Sequence, residues 1–138
     1  MKFMALTILS AGLLGVTAVA QDAQSVSEAQ NAASAWLALV DAGNYADSWE
    51  QAAGSFKSSI SKPSWAAAAA GVRLPLGALK SRQIQSSTLT HTLPGAPDGD
   101  YVVIKYASRF ENKGSAVETV TPLRDKDGTW RVSGYFIR

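Results

Sequence analysis

The chain contains no cysteine. A disulfide scaffold, a thiolate metal site and a lipid anchor on cysteine are all excluded, so stability has to come from packing. His91 is the only histidine. A two-histidine metal centre therefore cannot be assembled, and His91 sits among threonines with no acid–base partner in its pattern. No Gly-x-Ser-x-Gly elbow is present, and no Lys-Ser/Thr pair follows a glycine-rich turn, so neither a hydrolase nucleophile nor a phosphate loop is indicated. Charge of one sign is not in surplus either: 13 basic residues stand against 11 acidic ones. That near-balance argues against a nucleic-acid footprint. Nothing in the sequence calls for a cofactor or a metal.

The long apolar run is confined to the first twenty residues. Lys2 gives a positive end, Met4 to Val19 is apolar or small, and Ala18-Val19-Ala20 supplies the small residues that a signal peptidase reads. The pattern predicts a signal peptide over Met1–Ala20, cleaved before Gln21, with no stable membrane insertion afterwards and a periplasmic or secreted product. Residues 21–138 then form a single α+β domain, large enough for one core.

Ser25 and Glu28 have the spacing of a capping box, and Ala29, Ala32, Ala33, Trp36, Leu37, Leu39 and Val40 fall on one helical stripe that ends at Asp41-Ala-Gly43-Asn44. A shorter helix is expected through Tyr45, Trp49 and Ala52. A third should start at Ser61-Lys-Pro63, run through five alanines and end near Gly71. Arg73-Leu-Pro-Leu-Gly77 reads as irregular because proline interrupts it. From Gln83 the residues alternate as a strand with many hydroxyls. Asp100–Phe110, Ser115–Leu123 and Thr129–Arg138, separated by Asn/Asp/Lys/Gly turns, form an antiparallel meander. The expected architecture is α+β: N-terminal helices packed on one face of a curved antiparallel sheet of about four strands.

Strict alternation puts Val102, Ile104, Tyr106, Ser108 and Phe110 in one row, and Trp130, Val132, Gly134 and Phe136 in another. Lys105, Arg109, Glu118, Arg131 and Tyr135, with Tyr101 nearby, are assigned to a mixed face open to solvent. That face suits cross-strand ion pairs, a homodimer or an envelope-protein partner. Arg73, Arg82, Trp49 and Trp65 sit on the helical layer or at its exit, where they could contact a ligand or cap helix ends. Trp36 and Trp130 read as core anchors. If the domain were an enzyme, Glu118, Asp47 and Tyr106 would be its candidates for base and hydrogen-bonding partner.

One further set of residues carries a resemblance. Trp36, Leu39-Val40-Asp41-Ala-Gly43-Asn44-Tyr45-Ala-Asp-Ser-Trp49, Phe56, Trp65, Arg73-Leu-Pro-Leu-Gly77, Ser81-Arg82, Leu93 to Tyr101, Glu118-Thr-Val120 and Asp127-Gly128-Thr-Trp130 to Tyr135 are similar to the DUF4019 family of small exported bacterial proteins. The resemblance implies a secreted single-domain α+β protein and no assigned activity. The order of elements also resembles the cystatin-like/NTF2-like class, which holds isomerases, ligand binders and interaction modules. The expectation drawn here is a non-enzymatic exported accessory domain contacting an unidentified small ligand or an envelope protein. The alternative is a small isomerase or hydrolase using a pocket carboxylate as base.

Overall fold

The computed structural model describes residues 13–138. The segment predicted as a signal peptide lies partly outside them, and the part inside, from residue 13 on, runs as helix. Four helices come first, α1 (Leu13–Asp41), α2 (Tyr45–Gln51), α3 (Gly54–Ser59) and α4 (Lys62–Leu76). Four strands follow: β1 (Leu79–Thr90), β2 (Tyr101–Phe110), β3 (Lys113–Arg124) and β4 (Trp130–Ile137). The strands form one open antiparallel sheet in the order β1-β2-β3-β4, with β1 and β4 at its edges. Among the described residues no helix is long and apolar enough to cross a membrane.

The helices cover one face of this sheet. Ala29, Ala33, Trp36, Leu37 and Val40 of α1 share a core with Val102, Ile104, Tyr106, Val120, Trp130 and Val132 from the strands. Helix α1 starts well before Ser25, which therefore does not cap it. No glycine or proline interrupts the chain from Val16 to Val40, and a residue whose upstream neighbours are already helical cannot take the extended conformation of an N-cap. Its far end follows expectation. Gly43, with φ of 77°, closes a Schellman motif in which Asn44 N–H bonds Leu39 C=O at 2.8 Å and Gly43 N–H bonds Val40 C=O at 3.0 Å. The helical layer is tied to the sheet edge where Ala53 N–H, between α2 and α3, donates to Val132 C=O at 2.8 Å.

Helix α4 differs from expectation at its C-terminal half. Ser61 caps it as anticipated, accepting from Ser64 N–H, but the helix passes through Gly71 and Pro75. Proline in the last turn removes one main-chain bond, and the β2–β3 turn supplies others. Asn112 donates from its main chain to Leu76 C=O at 2.9 Å and from its side chain to Pro75 C=O at 3.0 Å. The helix stops at Gly77, whose φ of 73° and ψ of −162° belong to a region that only glycine occupies comfortably. A Cβ at Gly77 would also meet Glu111 Cβ at 2.9 Å. Because the exit is this tight, β1 begins at Leu79, several residues earlier than the hydroxyl-rich pattern suggested.

Bulges interrupt simple alternation in β1, β3 and β4. In β1 an extra residue between Ile84 and Ser86 puts Arg82, Ile84, Ser87 and Leu89 opposite Ser108, Tyr106, Ile104 and Val102. In β4 Ser133 is the extra residue: Thr121 pairs with Gly134 but Pro122 pairs with Val132. This bulge shifts the parity of the strand's end. Tyr135, opposite Val120, turns to the helix side with Trp130 and Val132, while Phe136 is 48% exposed. The expected row of Trp130, Val132, Gly134 and Phe136 is thus broken in its middle.

Two glycines of one segment should respond to alanine with opposite signs. Gly71→Ala, with nothing within 4 Å of the added carbon, is expected to stabilise the domain by up to ~1 kcal/mol through helix propensity. Gly77→Ala should destabilise it by about 1–3 kcal/mol, from backbone strain at that φ and ψ. Urea unfolding midpoints of the two variants check both.

Candidate functional site

Glu118 is placed by β3, where Ala116, Val120 and Pro122 on the same row seek the core and carry the glutamate with them. It is fully buried, at 0% exposure, and on the helix-covered face, which corrects the expectation of an open mixed face. A carboxylate taken out of water must be met by donors. Here four bonds meet it. Arg82 donates from Nε to Oε1 at 2.7 Å and from Nη2 to Oε2 at 3.1 Å. Ser108 Oγ donates to Oε1 at 2.5 Å, and Tyr135 Oη donates to Oε2 at 2.5 Å. Tyr135 is within reach only because the β4 bulge turned it inward.

Arg82 holds a second carboxylate at the same time. Its Nη1 and Nη2 donate to the Asp41 Oδ2 and Oδ1 atoms at 2.8 and 2.9 Å, and Arg73 Nη2 donates to Asp41 Oδ1 at 2.7 Å. Two arginines and two carboxylates therefore alternate as Glu118–Arg82–Asp41–Arg73, with formal charges that cancel. Asp41 is the last residue of α1 and Arg73 lies in the last turn of α4. The guanidinium groups thus sit where the negative ends of two helix dipoles converge. Arg73 and Arg82 were anticipated as ligand contacts or as caps of helix ends; the bonds they make here go to the side-chain carboxylates of Asp41 and Glu118.

The electrostatics follow the contacts. Burial pushes the Asp41 carboxyl up, but hydrogen bonds from Arg82 and Arg73 outweigh it, and the group sits below the usual aspartate range. Burial works against the charge of Arg82, and bonds to Asp41 and Glu118 more than compensate, so its guanidinium is held even more firmly protonated. Tyr106, the Cα partner of Glu118, is pushed up to about 12 by burial, with the Glu118 charge adding to the rise and Arg82 opposing it. Tyr135 is raised further by burial, by the Glu118 charge and by its bond to that carboxylate.

Of the residues singled out from sequence, Glu118, Tyr106, Arg82 and Arg73 come together here. The Arg82 guanidinium lies 5.9 Å from the Tyr106 ring centre, and that of Arg73 lies 4.9 Å from the Phe110 ring centre. Tyr106 Oη and Arg73 Nε and Nη1 are buried without a hydrogen-bond partner. The other candidates lie elsewhere. Asp47 is exposed on the first turn of α2, and Arg109 is exposed on the uncovered sheet face. Trp65 is 8% exposed within the core, and its indole donates to Ser48 Oγ. Trp49 is half-buried under Lys57 and Lys62, and its N–H donates to Ile60 C=O. Tyr101, 4% exposed, donates to Pro97 C=O at 2.6 Å and so pins the β1–β2 loop.

Ser108 and Asp41 were not singled out from sequence. Ser108 did carry a signal, as the one small hydroxyl in the apolar row from Val102 to Phe110. Asp41 was read as part of a helix stop and of the stretch that carries the family resemblance, without a role of its own. Among the described residues no group of three or more His, Asp or Glu is placed to hold a metal ion. One cleft of about 250 Å3 borders the cluster and is walled by Asp41 and Arg73, but not by Glu118, Tyr106 or Tyr135. The Glu118 carboxylate has both oxygens engaged, each by two donors.

Three outcomes are expected at this cluster. Arg82→Met strands a buried carboxylate and should cost about 3–5 kcal/mol, much of it recovered in the Arg82→Met/Glu118→Leu double variant; denaturant unfolding at neutral pH measures the cycle. At the acid end, Asp41 has a depressed folded pKa. Its contribution is present above the ordinary value of 3.8 and is lost as the pH falls through the lower folded value. At the alkaline end, the Tyr106 pKa is raised from 10.0 to about 12, so stability falls as the pH rises from the first value through the second. Tyr106→Phe should make that alkaline limb shallower, Tyr135 supplying the remainder, and cost little at neutral pH, because the hydroxyl it removes has no partner.

Neither the curated proteins nor the solved structures give a match to this chain. A family model described as a protein of unknown function matches residues 32–135, a span that takes in Trp36, the whole ionic cluster and Tyr135. The chain belongs to the DUF4019 family.

Proposed function

We propose that this DUF4019 domain is an exported, non-catalytic accessory module of the cystatin-like/NTF2-like kind, which binds a small ligand or an envelope protein. The observation that carries this reading is the saturation of Glu118. An isomerase or hydrolase base needs a carboxylate with a free lone pair facing a cavity. Both Glu118 oxygens instead accept two bonds each, from Arg82, Ser108 and Tyr135. Asp47, the other carboxylate considered, is exposed on α2. The export half of the proposal rests on the apolar leader and Ala18-Val19-Ala20.

Native mass spectrometry of the protein purified from the envelope fraction of its own cells tests both halves. The expected result is a chain beginning at Gln21 that carries a small-molecule mass excess or a protein partner. A chain retaining Met1 in the cell interior would overturn export. Turnover of any compound that disappears in a folded Glu118→Gln variant would overturn the non-catalytic reading.

A further inference from the structure

Three of the four indole N–H groups have an acceptor. Trp36 and Trp49 donate to Ser48 C=O and Ile60 C=O, each at 2.8 Å, and Trp65 donates to Ser48 Oγ at 2.9 Å. Trp130 Nε1 has none, although the residue is only 6% exposed. Buried donors are ordinarily paired, so the exception asks for an explanation.

Trp130 also lines a groove of about 470 Å3 between α1 and β4, a volume in the range of small-molecule sites. Its helical wall is Ala32, Ala35, Trp36 and Leu39, residues spaced to share one side of α1. Two alanines in that wall leave room that larger side chains would fill. Gln51, at the end of α2, stands at the rim with its carboxamide exposed and unbonded. Arg131, also at the rim, is committed to Asp127 at 2.8 and 2.7 Å and to Asp125 at 3.4 Å. With its one cation matched by two carboxylates, the rim does not favour an anion.

The geometry points to this groove as the site for an uncharged, flat, ring-containing ligand whose carbonyl accepts from Trp130 Nε1–H. The assignment rests on the reading of the domain as a binding module and gives that module its ligand class. The two indoles supply apolar contact to the ring, the carbonyl satisfies the one unpaired indole donor, and Gln51 can meet a second polar group. The Trp130 N–H is buried, so binding requires the indole ring to turn toward the groove as the carbonyl arrives.

Coumarin, a neutral planar lactone, is a suitable probe. In a 15N–1H spectrum of the intact domain, the Trp130 indole signal, assigned by its loss in Trp130→Phe, should move saturably on titration while those of Trp49 and Trp65 hold still. Ala35→Leu, a helix-compatible change at an exposed position, should weaken binding by about tenfold or more and leave the unfolding midpoint unchanged. Absence of a saturable Trp130 shift up to millimolar coumarin, or binding unaffected by Ala35→Leu, would overturn the assignment. If that happens while the envelope-purified chain still carries a mass excess or a partner, the binding-module reading stands and only the groove is lost.

Discussion

A carboxylate cannot be folded into an apolar sheet face unless its charge is answered there, and the arrangement of this domain follows from how Glu118 is answered. The side chain of Arg82 lies between Glu118 and Asp41, donating side-on to the first through Nε and Nη2 and end-on to the second through Nη1 and Nη2. Through these bonds the first helix, the last helix and all four strands meet: Asp41 on α1, Arg73 on α4, Arg82 on β1, Ser108 on β2, Glu118 on β3 and Tyr135 on β4. A hydrophobic replacement of the same volume can be as stable as a buried ion pair. What the charged version adds is direction, because each guanidinium bond constrains both distance and angle between α1, α4 and the sheet.

The aromatic side of the core is arranged around a second polar point. Ser48, fully buried, receives the indole N–H of Trp36 on its carbonyl and that of Trp65 on its hydroxyl, and its hydroxyl donates in turn to Tyr45 C=O at 2.6 Å. The ring of Trp36 packs edge-on to Phe56 and to Tyr135, with centres 6.3 and 5.2 Å apart. Tyr135 therefore belongs to both systems, its ring in the aromatic cluster and its hydroxyl on Glu118. The two halves of the interior are coupled through one residue.

Three of the four helices, the meander and its turns were legible in the sequence because they depend on local patterns: the stripe on α1, the Ser61-Lys-Pro63 start, and the Asn/Asp/Gly punctuation between strands; the short α3, opened by Gly54, was not expected. The site was legible only in part. Arg73, Arg82, Glu118 and Tyr106 stood out as polar or ionisable residues, yet Glu118 and Tyr135 were assigned to the wrong face. Alternation counts residues two by two, and the Ser133 bulge adds one that no local signal announces. For Glu118 the apolar company of Val120 and Pro122 was the better guide than its charge. The continuation of α4 through Pro75 was hidden for another reason: the groups that sustain it, on Asn112, are distant in the chain.

In a protein without cysteine, the Arg82 bonds join residues 41 and 36 positions away along the sequence, spans that secreted domains often close with a disulfide. The difference lies in the unfolded state. A covalent cross-link restricts the denatured chain and needs an oxidant to form, whereas this ionic clasp exists only in the native state. The unfolded polypeptide is left as an unbranched thread, and the clasp reassembles from the sequence alone, indifferent to the redox state of its surroundings.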